Sequence, residues 1–279
     1  MTPERPPSST CNMAAVLARI PEHCFWEITD ACNLRCVHCE ADAGRASPDE
    51  LSTREALRLV DELADAGCKR VCLTGGEPLV RPDWPALARR FVERGVEVTV
   101  VSNGLKVDDR AVQTMRAVGV SGVSISVDGR QAVHDAIRVR PRPRADSVYD
   151  RALAAIVRGK RAGLKVAVIT QVHRQSIDDL DLLHDLFATL EVDVWQLQLC
   201  MPLGRMARLR EQYLLEPRQL PELVHKIERF IRAPSSWPTT SGTTGAPSAC
   251  SAARRDPGGP SGSAAWRGVA SWRSAPTAT

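Results

Sequence analysis

The chain has 279 residues, 43% hydrophobic but only 4% aromatic, enough to fill a large and mostly aliphatic core. Of its net charge of +4, most sits after position 233, where Arg254, Arg255, Arg267 and Arg273 face Asp256 alone; the near-neutral body offers no electrostatic case for nucleic acid. The start, MTPERPPSST, lacks an export signal and the apolar patch at 14–20 is too short to span a membrane, so cytoplasmic residence is expected, the nine cysteines are expected to stay reduced, and clustered ones to be ligands or nucleophiles, not bridges.

Residues 1–20 read as an N-terminal extension and 21–233 as the core domain. A first strand, CFWEIT at 24–29, runs directly into a cysteine-bearing loop. A helix follows at 51–67, with Ser52 or Thr53 as N-cap and Gly67 at its end, and then a strand at 69–74. The alternation continues with a helix at 83–94, a strand at 96–102, a helix at 109–118 and a strand at 123–128. A long helix at 146–162 precedes the strand at 164–172, a helix at 178–189 precedes the strand at 193–199, and a helix at 217–232 closes the series. Six strands alternating with helices predict an α/β protein with a parallel sheet, either an open doubly wound sheet or an incomplete barrel. Residues 234–279 have no Leu, Ile, Phe or Met and are dominated by Ser, Ala, Thr, Pro, Gly and Arg, so a disordered tail is expected. Three of the six tryptophans nevertheless fall in it, a vocabulary that a high-GC gene read out of frame would produce.

Cys32, Cys36 and Cys39 give C-x3-C-x2-C at the mouth of the first strand, the edge where parallel α/β folds bind ligands. Thiolates suit zinc or iron and sulfide. Structural zinc wants four ligands; His38, Cys68, Cys72 or Cys200 could supply a fourth, but no second tight pair exists, and Cys68 and Cys72 read as core residues. Three cysteines on one loop instead fit a cluster with one open iron. TGGEP at 74–78 ends the second strand: paired glycines allow close backbone approach, and a carboxylate can pair with a cationic amine. SNG at 102–104 and SVDG at 126–129 end the next two strands, and Gln171 and Gln198 end the last two. Arg138, in HDAIR at 134–138, carries a planar fork suited to a carboxylate, or is one solvated member of an Arg-rich loop. Asp128 either faces substrate or caps its turn, and His173 and Trp195 read as packing residues.

CNLRCVHC at 32–39 resembles the signature of the radical S-adenosylmethionine (radical SAM) enzymes, with His38 in the usual aromatic slot, and TGGEP resembles that family's GGEP motif. The resemblance spans about residues 20–232 and implies a partial (β/α)6 barrel. It implies a [4Fe-4S] cluster on Cys32, Cys36 and Cys39, with S-adenosylmethionine (SAM) on its open iron. Gly75, Gly76 and Glu77 would then meet the methionyl amine, with Pro78 stiffening the turn, and Ser102 and Asn103 would lie near the ribose. Ser126 and Arg138 would lie near the carboxylate, and Gln171 and Gln198 near ribose or adenine. The implied activity is reductive cleavage of SAM to a 5'-deoxyadenosyl radical, fed by a reductant such as flavodoxin or ferredoxin. QVHRQSIDDL at 171–180 and WQLQLCMPLGRM at 195–206 resemble the subgroup whose core precedes a cysteine-rich SPASM domain, which points to a peptide or protein substrate, although related enzymes act on porphyrins. Past position 233 only Cys250 remains, so the tail is expected to be a frameshift product in place of that domain. An inactive truncated core and a zinc-binding structural module are the alternatives.

Overall fold

The computed structural model describes residues 22–142, 144–232 and the pair 271–272. The expected extension at 1–20 and all but two residues of the expected tail lie outside them.

Strands β1 (His23–Thr29), β2 (Arg70–Gly75), β3 (Glu97–Ser102), β4 (Gly122–Ser126), β5 (Lys165–Val172) and β6 (Val194–Leu199) pair in parallel. Their order across the sheet is their order in the chain, and Ser271–Trp272, β7, pairs beside Phe25 and Trp26 of β1. A doubly wound sheet reverses strand order at a switch point. This sheet does not, so the open alternative falls and a partial (β/α)6 barrel remains.

Helices α1 (Thr53–Asp65), α2 (Trp84–Glu93), α3 (Asp109–Ala117), α4 (Gln131–Ile137), α5 (Val148–Arg161), α6 (Leu180–Thr189), α7 (Arg210–Tyr213) and α8 (Leu220–Arg232) complete the described chain. Alternation along each strand sorts the residues. Trp26, Ile28, Val71, Leu73, Val98, Val100, Val123, Ile125, Val166 and Val168 are buried with Val60, Leu87, Phe91, Ile156 and Phe187 from the helices. The opposite set is polar toward the strand ends: Glu27, Thr74, Ser126, Gln171 and Gln198. The hydrophobic core thus lies between sheet and helices, leaving the concave face for binding.

Ser52 caps α1 by a reciprocal pair with Glu55, accepting from Glu55 N at 3.4 Å while Ser52 N donates to Glu55 Oε2 at 3.0 Å. Two short elements depart from expectation. α4 has seven residues and no side-chain cap at Arg130, and the stretch Gly204–Tyr213 forms a 3-10 turn running into α7. Both are too short for periodicity to register.

Candidate active site

The loop after β1 closes on itself. Gly44 N donates to Asp30 O at 2.8 Å and Cys32 N to Gly44 O at 3.2 Å, which folds residues 31–44 into one compact excursion at the strand end. Within it Leu34 and Cys36 are buried against Leu105 and Val148, with Cys32 and Cys39 packed beside them. Two backbone amides point at sulfur: Leu34 N donates to Cys32 Sγ and Ala43 N to Cys39 Sγ, each at 3.4 Å. The loop also docks on the chain around Arg138, through Arg35 N to Val139 O at 2.7 Å and Val37 N to Ile137 O at 2.8 Å.

All three thiols line one cavity of about 270 Å³ at the C-terminal ends of the strands. Burial pushes the Cys36 thiol up to about 12 and that of Cys32 upward, so burial alone favours the protonated form of these two. A bound cation reverses this by stabilising thiolate directly. Among the described residues no three His, Cys, Asp or Glu side chains converge tightly enough to hold a single ion. Three free thiols around a cavity, with N–H groups aimed at two of the sulfurs, fit a polynuclear cluster better than one zinc.

The glycine pair of β2 adjoins the loop. Gly76 N donates to Thr29 O and Glu77 N to Ala31 O, both at 2.8 Å. A Cβ on Gly75, whose φ is +129°, would lie 2.3 Å from Thr29 O, and one on Gly76 would lie 2.4 Å from Ala31 O. The close approach that these glycines permit is therefore to the chain's own cysteine loop, while both also line the cavity. Glu77 and Pro78 do not line it. The Glu77 carboxylate is buried beneath, accepting from Asn103 N at 2.8 Å, Ser102 Oγ at 3.0 Å and Leu79 N at 3.2 Å. Burial raises it to about 7 against the pull of those donors. Ser102 and Asn103 line the cavity, and Asn103 Nδ2 donates to Asn33 Oδ1 at 2.7 Å.

Arg138 is buried, not solvated, and lines the cavity with Ser126. Its Nε donates to Asp128 Oδ2 at 2.5 Å. Asp128 is wholly buried and neither faces the cavity nor caps its turn. Its Oδ1 accepts Gln171 N at 2.9 Å, and its Oδ2 is 3.5 Å from His38 Nε2. One carboxylate thereby joins the ends of β4 and β5, the end of α4 and the cysteine loop. Burial would raise its pKa, but Arg138 and then the nearby histidines pull it well below the usual carboxylate range. The histidines are lowered too, but by burial itself: His38 to about 3, His134 to about 4, and His173 downward. His134 Nδ1 accepts Asp128 N at 3.1 Å, which fixes it as a neutral acceptor. His38, in the slot where the resemblance wants an aromatic ring, is thus tied to the anchor of Arg138.

Gln171 lines the cavity, donates from Nε2 to Gln198 Oε1 at 2.9 Å and leaves its own buried Oε1 without a partner. Gln198 lies behind it, off the cavity lining. Arg205, which sequence reasoning did not single out, enters the cavity wall from the segment after β6 and grips the cysteine loop. Arg81 was missed as well: buried, it donates to Ile28 O at 2.7 Å and Leu51 O at 2.8 Å, pinning the end of β1 to the start of α1. Both arginines bind carbonyls far off in sequence, a relation that spacing alone does not display.

A parallel α/β barrel core that delivers three thiols, a glycine pair and successive polar strand ends to one cavity defines a cofactor-binding enzyme class. The radical SAM superfamily model matches residues 26–187, more than half of the chain, and the chain belongs to that superfamily. Its members use a [4Fe-4S] cluster and SAM. AdoMet-dependent heme synthase of Methanosarcina barkeri is 32% identical over 191 residues, which are 68% of this chain and 53% of that one. Mycofactocin maturase MftC of Mycobacterium tuberculosis is 37% identical over 169 residues, 59% of this chain and 40% of that one. The chain spans about half the length of the curated relatives it matches. Streptococcus suis SuiB bound to its precursor peptide SuiA superposes with a TM-score of 0.64 at 17% identity, covering 76% of this chain and 46% of that one, a likeness of fold. Among the described residues no helix is long and apolar enough to cross a membrane.

Proposed function

We propose that Cys32, Cys36 and Cys39 hold a [4Fe-4S] cluster and that SAM lies across the strand ends, in a cytoplasmic enzyme that acts on a peptide or protein. Held by these three cysteines, such a cluster would supply the one-electron reduction that splits SAM into methionine and a 5'-deoxyadenosyl radical, the chemistry needed to take a hydrogen atom from substrate. The observation that carries this reading is the convergence of the three thiols with Gly75, Gly76, Ser126 and Arg138 on one cavity. The protein's task is orientation and exclusion of water. Arg138, held at Nε by Asp128, keeps its terminal nitrogens for a carboxylate, as its planar fork suits. Ser126, Asn103 and the unpartnered Gln171 Oε1 offer hydrogen bonds to the rest of SAM. A flavodoxin or ferredoxin is the proposed electron donor.

One feature favours a peptide over a porphyrin, while the relatives point both ways, the heme synthase and the maturase MftC both being similar to this chain. The cavity's only cations among the described residues are Arg138, whose terminal nitrogens this reading reserves for SAM, and Arg205, bound to the cysteine loop. A polycarboxylate macrocycle would find no further positive charge there. The experiment is anaerobic reconstitution with iron and sulfide, followed by reductant and SAM. The expected result is a cluster and 5'-deoxyadenosine, both abolished when Cys32, Cys36 and Cys39 become Ala. A parent protein that binds neither iron nor sulfide sinks the cluster assignment. A cluster without 5'-deoxyadenosine above background establishes the inactive-core alternative instead. Turnover of a porphyrin but of no peptide would overturn the substrate class.

A further inference from the structure

The reading above gives no task to the segment after β6, yet Arg205, 169 residues beyond Cys36, makes the densest set of contacts to the cysteine loop. Its Nε donates to Cys36 O at 2.7 Å, its backbone N to Cys39 O at 3.0 Å, and its Nη1 to Ala43 O at 3.0 Å and Asp42 Oδ1 at 2.6 Å. Gly204, at φ +52°, lies so close that an added Cβ would stand 2.3 Å from Cys39 O and 2.4 Å from Glu40 O. Asp42 itself holds a left-handed backbone at φ +50°, a region that Asp enters more readily than most residues, and its carboxylate accepts from Arg205.

We propose that Arg205, seated by Gly204, is a positioning residue that latches the cysteine loop to the end of β6 and sets how firmly the cluster is held. The proposal rests on the assignment of Cys32, Cys36 and Cys39 to a [4Fe-4S] cluster. Two of the three carbonyls it takes belong to the proposed ligands Cys36 and Cys39, and the third, Ala43, adjoins the amide that donates to Cys39 sulfur. A guanidinium can serve carbonyls and a carboxylate at once along different directions because its five donors form a rigid, extended fork; an ammonium gathers its three donors on one atom and does not match that spread. A fixed positive charge behind the ligands also favours the reduced cluster, since net charge and the surrounding hydrogen bonds set such potentials. The latch also ties the sixth strand to the loop after the first, across the side where those two strands are not paired.

The test compares the full chain with Arg205→Gln, Arg205→Lys and, as control, Arg208→Gln at an exposed site on the same turn. Each protein is reconstituted anaerobically, and three quantities are read: iron and sulfide per chain, the rate of iron loss to a chelator, and the cluster's midpoint potential. Arg205→Gln is expected to lose iron about ten-fold faster or more, the scale at which outer partners of metal ligands matter, and to show a more negative potential. Arg205→Lys should lose iron faster than the parent while keeping its potential, and Arg208→Gln should match the parent. In the apoprotein, amides at 32–44 should exchange faster in Arg205→Gln while the sheet does not. Parent-like iron loss and potential in Arg205→Gln would overturn the latch. Should Arg205→Gln fail to fold, Asp42→Asn decides: a rise in iron loss of about two- to five-fold supports the latch, and no change overturns it. A parent that binds no iron or sulfide refutes the cluster assignment itself, a different result.

Discussion

At the scale of single residues, Asp128 governs the site although it does not touch the cavity. Its charge is the buried counterion of Arg138, so Asp128→Asn leaves a cation uncompensated, a change that costs about 3–5 kcal/mol in comparable buried pairs. The urea midpoint should fall accordingly, and SAM should bind the reconstituted variant more weakly because Arg138 loses its fixed orientation. Equal SAM affinity in variant and parent would show that Asp128 only stabilises the fold. His134 gives a pH dependence whose sign can be worked out. Its folded pKa of about 4 lies below the unfolded value near 6.5, so the unfolded state takes the proton first. Stability from this group is complete above about pH 6.5 and is lost as pH falls toward 4, by about 1 kcal/mol between pH 7 and 5.5. Glu77, raised to about 7, tilts the curve the opposite way over the same range, so the comparison needed is between parent and His134→Gln. Gln can still accept Asp128 N, and the variant should lack that 1 kcal/mol of acid sensitivity when urea midpoints are measured at both pH values.

At the scale of elements, the two glycines near β2 separate conformational need from steric need. Gly67, at φ +94°, has nothing within 4 Å of an added Cβ, so Gly67→Ala should cost only the left-handed strain of about 1 kcal/mol. Gly76→Ala drives a methyl into Ala31 O and Asp30 O, which must push the cysteine loop off β2 at a cost of about 3 kcal/mol or more. Urea unfolding orders the two, and only Gly76→Ala should also lower the iron bound after reconstitution. The strands were legible in the sequence because they are short runs, β-branched in β2 to β5 and partly aromatic in β1 and β6, set between helical patterns. β3 and β5 fell within one residue of their expected bounds. α4 was not legible, since seven residues without a side-chain cap carry little periodic signal. The cavity residues of the strand ends could be nominated because short polar or glycine-bearing motifs recur at one edge from unit to unit and resemble those of a known family. Asp128's role and the latch at Arg205 could not, because each depends on partners that only the folded chain brings together: Gln171 N for Asp128, and Cys36 O and Cys39 O for Arg205.

At the scale of the whole molecule, the cysteine loop is where distant parts of the chain are tied. It is held by the backbone at 137–139, by Gly76 and Glu77 after β2, by Asn103 after β3 and by Arg205 after β6. Order in the loop is therefore coupled to assembly of the sheet, and whatever binds the three thiols acts on global stability as a ligand of the native state alone. At a hundred-fold excess over its dissociation constant such a ligand adds about 2.7 kcal/mol, which for a domain of this size shifts melting by roughly 5–10 °C. Anaerobic reconstitution should raise the melting temperature of the parent by that amount, and a chelator should return it. The triple variant with Ala at Cys32, Cys36 and Cys39 should melt near the apoprotein and gain nothing on reconstitution. Because the loop's anchors come from the ends of β2, β3 and β6 and from the chain after α4, the gain should extend to amide protection in β2, β3 and β6 and not stop at residues 32–44. Protection confined to the loop, with an unchanged melting temperature, would mean that the cysteine excursion opens independently of the barrel and that its anchors carry no global coupling.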